Sequence, residues 1–267
     1  MGMVKRYLWK LYNGMVLFGF DPMKTLATCR ALPVYYRELA EFKRQAQAAG
    51  GTFHFGELWP LLHDRSSESG VASGPYFHQD LLVARRVLEN NPQRHVDIGS
   101  RVDGFVAHVA TFREIEVFDI RPLENRVPNI HFSCVDLMSP MEERYRECCD
   151  SLSSLHAVEH FGLGRYGDPI NYNGYLDGIN NMGQALKRGG KFYFSVPMGP
   201  LRVEFNAHRV FSLRFLLDLF APNYRVDRFN YVDDRGLLHE NVTLTDAVIA
   251  DNCGCRCGCA IFEMTKL

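Results

Sequence analysis

Val96-Asp97-Ile98-Gly99-Ser100-Arg101-Val102-Asp103-Gly104-Phe105 is followed some twenty residues later by Val117-Phe118-Asp119-Ile120-Arg121-Pro122. Each stretch opens on a short apolar run that reaches a carboxylate, and the first then turns at a glycine. In a doubly wound α/β sheet this pairing places a nucleoside ligand at the carboxyl ends of the first two strands, with the second acid on the ribose hydroxyls. A dinucleotide site needs G-x-G-x-x-G, so that backbone amides can approach a pyrophosphate. Only Gly99 stands where such a glycine belongs, and Arg101 fills the second position. A ligand with a ribose but no diphosphate therefore fits better, and a nicotinamide oxidoreductase lacks its fingerprint.

Outward from this core the pattern alternates as an α/β domain should. Tyr76 to Asn90 reads as an amphipathic helix, with Leu81, Leu82, Ala84, Val87 and Leu88 on its apolar side. Strands are predicted at residues 94–98, 115–119, 129–134, 151–156, 191–197, 224–232 and 259–265. Helices are predicted at 103–111, 173–187 and 212–220. The expectation is a seven-stranded, mostly parallel, doubly wound sheet over residues 76–267, preceded by a helical extension over 1–75. Within that extension Tyr7, Leu8, Leu11, Tyr12, Met15 and Val16 recur at helical spacing, and Pro33 opens a second helix through about Gln47. Gly50-Gly51 ends it, and residues 52–75 read as loop.

A net charge of -1 over 267 residues gives no basic face for nucleic acid. No run of eighteen apolar residues or secretory signal pattern is present, and Arg6 replaces the Ser or Thr of a myristoylation signal at Met1-Gly2, so a cytoplasmic location is expected. Lys5, Arg6 and Lys10 flank the first apolar face beside Trp9. Such a face either packs on its own domain or rests on an anionic membrane through residues 1–20. Cys253, Cys255, Cys257 and Cys259 form C-x-C-x-C-x-C. On a strand this spacing suits tetrahedral metal closure poorly, so no metal is expected and the thiols read as structural.

The layout over residues 76–267 resembles the class I S-adenosylmethionine-dependent methyltransferases. There the first strand ends in an acid and a glycine turn, as at Asp97-Ile98-Gly99, and the second in a ribose-binding acid, as at Asp119. An acid or amide after the third strand reaches the adenine, as at Asp136-Leu137. His156-Ala157-Val158-Glu159-His160 resembles a segment that follows the fourth strand, and Gly189-Gly190-Lys191-Phe192-Tyr193-Phe194 resembles the fifth. Within the superfamily the chain is similar, over nearly its whole length, to an uncharacterised family first described in nematodes. That family also has members in bacterial surface-polysaccharide gene clusters. The resemblance implies S-adenosylmethionine as cofactor, held by Asp97, Gly99, Ser100, Arg101, Asp119, Ile120, Asp136, Leu137 and His156. The chain departs from the superfamily's acid-x-Gly-x-Gly-x-Gly turn at Arg101 and Asp103. Arg101 must then point away or meet the ligand itself, for example at a carboxylate.

Methyl transfer to a hydroxyl asks for alignment and a general base. His160, Glu159 and His208 are the expected bases, each with a packing or capping role as its alternative. Gly162-Leu163-Gly164-Arg165-Tyr166-Gly167-Asp168 reads as a mobile loop suited to a hydroxylated acceptor or glycan precursor. The competing reading is a methyltransferase-like scaffold that binds without turnover.

Overall fold

The computed structural model describes residues 3–267, and Met1 and Gly2, with the myristoylation reading made there, lie outside them. The chain divides into two compact units, Met1–Val71 and Ala72–Leu267.

The first unit holds α1 (Met3–Leu17) and α2 (Pro22–Ala48). The second helix does not open at Pro33. Asp21 caps it, its side chain accepting from the amides of Met23 (3.0 Å) and Lys24 (3.1 Å), and Pro22 occupies the first turn. An N-cap aspartate followed by proline is the stronger start signal, and Pro33 sits in the helix interior.

The second unit is a mixed α/β domain built on one sheet. Its helices are α3 (Pro75–Asn90), α4 (Ala107–Ala110), α5 (Gly174–Ala185), α6 (Leu213–Phe220) and α7 (Asp246–Ala250). Its strands are β1 (His95–Ile98), β2 (Ile115–Asp119), β3 (Ile130–Cys134), β4 (Cys149–Leu155), β5 (Leu186–Met198), β6 (Arg202–Glu204), β7 (His208–Val210), β8 (Tyr224–Val232), β9 (Leu238–His239) and β10 (Gly258–Lys266). The sheet order is β3-β2-β1-β4-β5-β10-β8-β9, with β10 antiparallel to both β5 and β8. It has eight strands rather than the seven expected. The extra one is β9, whose two residues are too few to carry an alternation. The β6–β7 hairpin stands apart as a second, two-stranded sheet.

Both faces of the sheet are covered, which explains why the inner strands read as continuous apolar runs. On one face Val83, Val87, Phe105, Val109, Val117 and Ile261 pack together beneath α3 and α4. On the other, Ile98, Phe118, Met182, Phe194, Leu216 and Phe220 join α5 and α6 to the sheet. Chain order reverses between β1 and β4, so the carboxyl ends of β1, β2 and β4 open a crevice there.

Candidate functional site

At the carboxyl end of β1 the chain turns through Gly99, whose φ of +69° is left-handed. A Cβ there would stand 3.0 Å from the Ala157 Cβ, so glycine satisfies both the turn and the close approach. Asp97 is fully buried and braces this turn. Its carboxylate accepts from the Ser100 amide (3.0 Å), the Ser100 hydroxyl (2.8 Å) and the Ser153 hydroxyl (2.5 Å). Burial pushes its pKa up to about 7, against the pull of those donors. Asp97 lines neither cavity described below and holds the loop instead. Arg101 pairs with Asp103 through two contacts of 3.0 and 2.7 Å and is largely exposed. The altered glycine positions therefore do not plug the crevice.

Next to Gly99 lies a narrow cavity of about 60 Å³ with apolar walls that include Ile98, Ile120, Val135, Leu137 and Met138. Asp119, Asp136 and Asp168 supply its carboxylates. Asp136 is partly engaged, accepting from the Met138 amide and the Ser139 hydroxyl, each at 2.9 Å. A wider cleft of about 470 Å³ is lined by Tyr76, Ser100, Arg101, Asp103 and Arg165 among others. The two share Gly99, Asp119, Arg121, His156 and Tyr166 and form one site. Arg121 binds the Asp119 carboxylate bidentately, at 3.0 and 2.6 Å, and its guanidinium lies 4.3 Å from the Tyr166 ring centre.

His156 follows β4 with a φ of +53°, a conformation that costs energy in any non-glycine residue. Its Nδ1 lies 2.9 Å from Glu159 Oε1, and both side chains are buried. Burial opposes the imidazolium, yet neighbouring Cys259 and Glu159 raise the His156 pKa well above 6.5. Burial likewise opposes the Glu159 carboxylate, and His156 and His160 hold it lowered. Glu159 is thus a buried counter-ion and does not line the cavity. His160 does. Its Nδ1 is 2.7 Å from the Ala207 carbonyl, so Nδ1 carries the proton and Nε2 keeps a lone pair, 3.7 Å from Glu159 Oε1. Burial lowers its pKa below 6.5 despite Glu159. His208 is not brought to this place: it lies in the β6–β7 hairpin with Nε2 3.4 Å from Glu204, and lines neither cavity.

The loop after His160 is pinned rather than loose. Asp168 accepts from the amides of Gly162 (2.9 Å), Gly164 (3.2 Å) and Tyr166 (3.1 Å). Arg209 is buried and donates to the carbonyls of Phe161 (2.6 Å) and Tyr172 (3.1 Å). At Gly162, with φ +74°, a Cβ would overlap the Asn171 carbonyl oxygen at 2.0 Å. Sequence reading missed Arg209 because a lone arginine in a polar hairpin carries no signal of burial. Asp80, in α3, is buried beside Gly104 and Phe105, and burial raises its pKa to about 6.

Of the four clustered cysteines only Cys259 lies in β10; Cys255 is also buried, Cys253 half-buried and Cys257 exposed. Among the described residues no group of three or more His, Cys, Asp or Glu side chains is placed to hold a metal.

The strand order of the α/β unit, with β10 antiparallel between β5 and β8, is that of a Rossmann-like, methyltransferase-type fold. Residues 99–235, just over half of the chain, match the model of the family described as Caenorhabditis protein of unknown function, DUF268, and the chain belongs to that family. The match is shorter than the nearly full-length similarity expected from sequence. No curated protein matches the chain. Among solved structures the [4+2]-cyclase SpnF is similar at 16% identity and a TM-score of 0.51, over 83% of this chain and 91% of SpnF. The N-methyltransferase NodS of Bradyrhizobium japonicum WM9, in complex with S-adenosyl-L-homocysteine, is similar at 13% identity and a TM-score of 0.48, over 72% of this chain and 88% of NodS. These likenesses concern the fold. The same architecture serving a cyclase leaves the reaction to be argued from the site.

Proposed function

We propose that this chain is an S-adenosylmethionine-dependent methyltransferase acting on a hydroxylated small molecule or glycan precursor. The observation that carries this reading is His160, which lines the same cavity as Gly99 and Asp119 with its Nδ1 held on the Ala207 carbonyl. The donor set fits the cofactor: an apolar slot between Ile120 and Leu137 suits adenine, and Asp119 at the end of β2 suits the ribose hydroxyls. Gly99 keeps the wall open, and Ser100 and Arg101 border the wider cleft. When bound, the cofactor supplies a methyl group already activated on a sulfonium. The protein's own tasks are alignment, worth roughly 7–11 kcal/mol at best, and removal of the acceptor proton. His160 Nε2 takes that proton, and Glu159 Oε1 at 3.7 Å offsets the resulting charge. Tyr166, Arg121 and Arg165 give the wider cleft an aromatic face and guanidinium donors, which suit a polyhydroxylated or anionic acceptor.

One observation favours a second reading, binding without turnover: the Arg165 guanidinium stands 3.3 Å from His160 Nδ1, shares the Ala207 carbonyl with it, and opposes an imidazolium there. Calorimetric titration with S-adenosylmethionine and S-adenosylhomocysteine, followed by transfer of labelled methyl to a panel of nucleotide sugars, separates the two. His160→Gln is expected to lower transfer about 10²–10⁴-fold with cofactor affinity retained. Cofactor binding with no transfer to any hydroxylated acceptor would favour the second reading, and no binding at all would overturn both.

A further inference from the structure

We infer that α1 docks the protein on an anionic lipid surface, lying in the plane of the interface. Among residues 5–71 none whose burial is described is buried. Tyr7, Leu8 and Leu11 are 73%, 61% and 62% exposed, and Leu17 and Phe18 are 83% and 90% exposed. A helix of this length is marginal in water unless its apolar side is covered. At about 100° per residue, Tyr7, Leu8 and Leu11 fall on one arc, with Lys10 at one edge and Lys5 at the other. That is the arrangement in which lysine stems follow the apolar surface while their ammonium groups reach the headgroups.

Charge selects the occupant. Residues 3–20 contain Lys5, Arg6 and Lys10 and no Asp or Glu, and the first acid, Asp21, is engaged in capping α2. A second copy packed on this face by two-fold symmetry would set cations against cations with no carboxylate between them. An anionic bilayer supplies the missing negative charge. α1 has 15 residues, too few to cross a hydrocarbon core about 30 Å thick at about 1.5 Å per residue. Among the described residues no helix is long and apolar enough to span a membrane.

The chain's two tryptophans, Trp9 and Trp59, both lie in the N-terminal unit, so Leu8→Trp combined with Trp9→Phe and Trp59→Phe puts the single reporter on the apolar arc. This full-length variant is mixed with phosphatidylcholine vesicles, with or without about one-third phosphatidylserine, and followed by sedimentation and emission. The expected result is co-sedimentation with the anionic vesicles only, a blue shift of the reporter's emission, and release by salt. Lys5→Gln with Lys10→Gln should weaken partitioning roughly 30-fold, since each basic residue near such a surface counts about fivefold. Absence of sedimentation with either vesicle would overturn the inference. So would emission already blue-shifted without lipid: in a monomer it would mean that the face is covered by the chain's own α/β unit, and in a dimer by a second copy.

Discussion

Asp97 and Asp119 end adjacent parallel strands in nearly the same local sequence, yet one is buried beneath the site and the other lines it. Register makes the difference. Asp97 pairs with Val117, so Asp119 lies two residues further towards the carboxyl edge of the sheet. Two strand residues amount to about 6–7 Å. That offset leaves Asp97 inside the sheet, enclosed by Ser100 and Ser153, and brings Asp119 out to the cavity. One acid holds the backbone in shape, and the other is available to a ligand. An acid at a strand end is thus two different signals, separated only by how far the neighbouring strand runs past it.

The sharpest way to break this contrast is Asp97→Ala. It leaves the Ser100 amide and two hydroxyls without their acceptor in a dry interior. The expected cost is on the order of 4 kcal/mol of stability, seen as a lowered midpoint in denaturant unfolding. A variant that unfolds like the wild type but no longer binds cofactor would show Asp97 to be a ligand contact after all.

The same contrast has a pH signature. Burial raises the Asp97 carboxyl from an ordinary 3.8 to about 7, and Asp80 to about 6, so in that interval the folded chain holds protons that the unfolded chain releases. Their contribution is complete below about pH 4 and is lost as pH rises through 6 and then 7. Asp97→Asn should remove the upper part of that decline, measured by thermal unfolding from pH 4 to 8. A decline that persists unchanged would assign it to other groups.

Asp119→Ala tests the other half. With the site's edge changed and the core untouched, unfolding should shift little, while cofactor affinity falls about ten- to a hundredfold, the usual worth of hydrogen bonds to a charged group. Unchanged affinity would remove Asp119 from the ribose role.

Much of this architecture is legible in the chain. The strands from β1 to β5 and the helix after Gly74 announce themselves because burial on both sheet faces demands unbroken apolar runs closed by glycine or acid. What stays hidden depends on relations between segments. The register that separates Asp97 from Asp119 is one such relation. Another is the β6–β7 register that keeps His208 in its hairpin opposite Glu204, and a third is the reach of Arg209 to the carbonyls of Phe161 and Tyr172. The stacking of Arg121 on Tyr166 joins residues far apart in sequence. β9 is invisible for a different reason, since two residues have no period.

The smallest expected effect concerns Arg121, which holds the carboxylate that the proposed cofactor would need. Its guanidinium is close to half exposed, so the pair with Asp119 is screened and contributes at most about 1 kcal/mol. Arg121→Ala frees Asp119 and removes one face of the Tyr166 stack. If Arg121 only competes with the ribose, affinity for S-adenosylhomocysteine should rise by a factor of about five or less, with unfolding unchanged. A loss of tenfold or more would reverse the assignment. Arg121 would then be part of the binding surface, turning its guanidinium from Asp119 to the ligand, and the bidentate pair would be the resting position of a ligand-binding side chain.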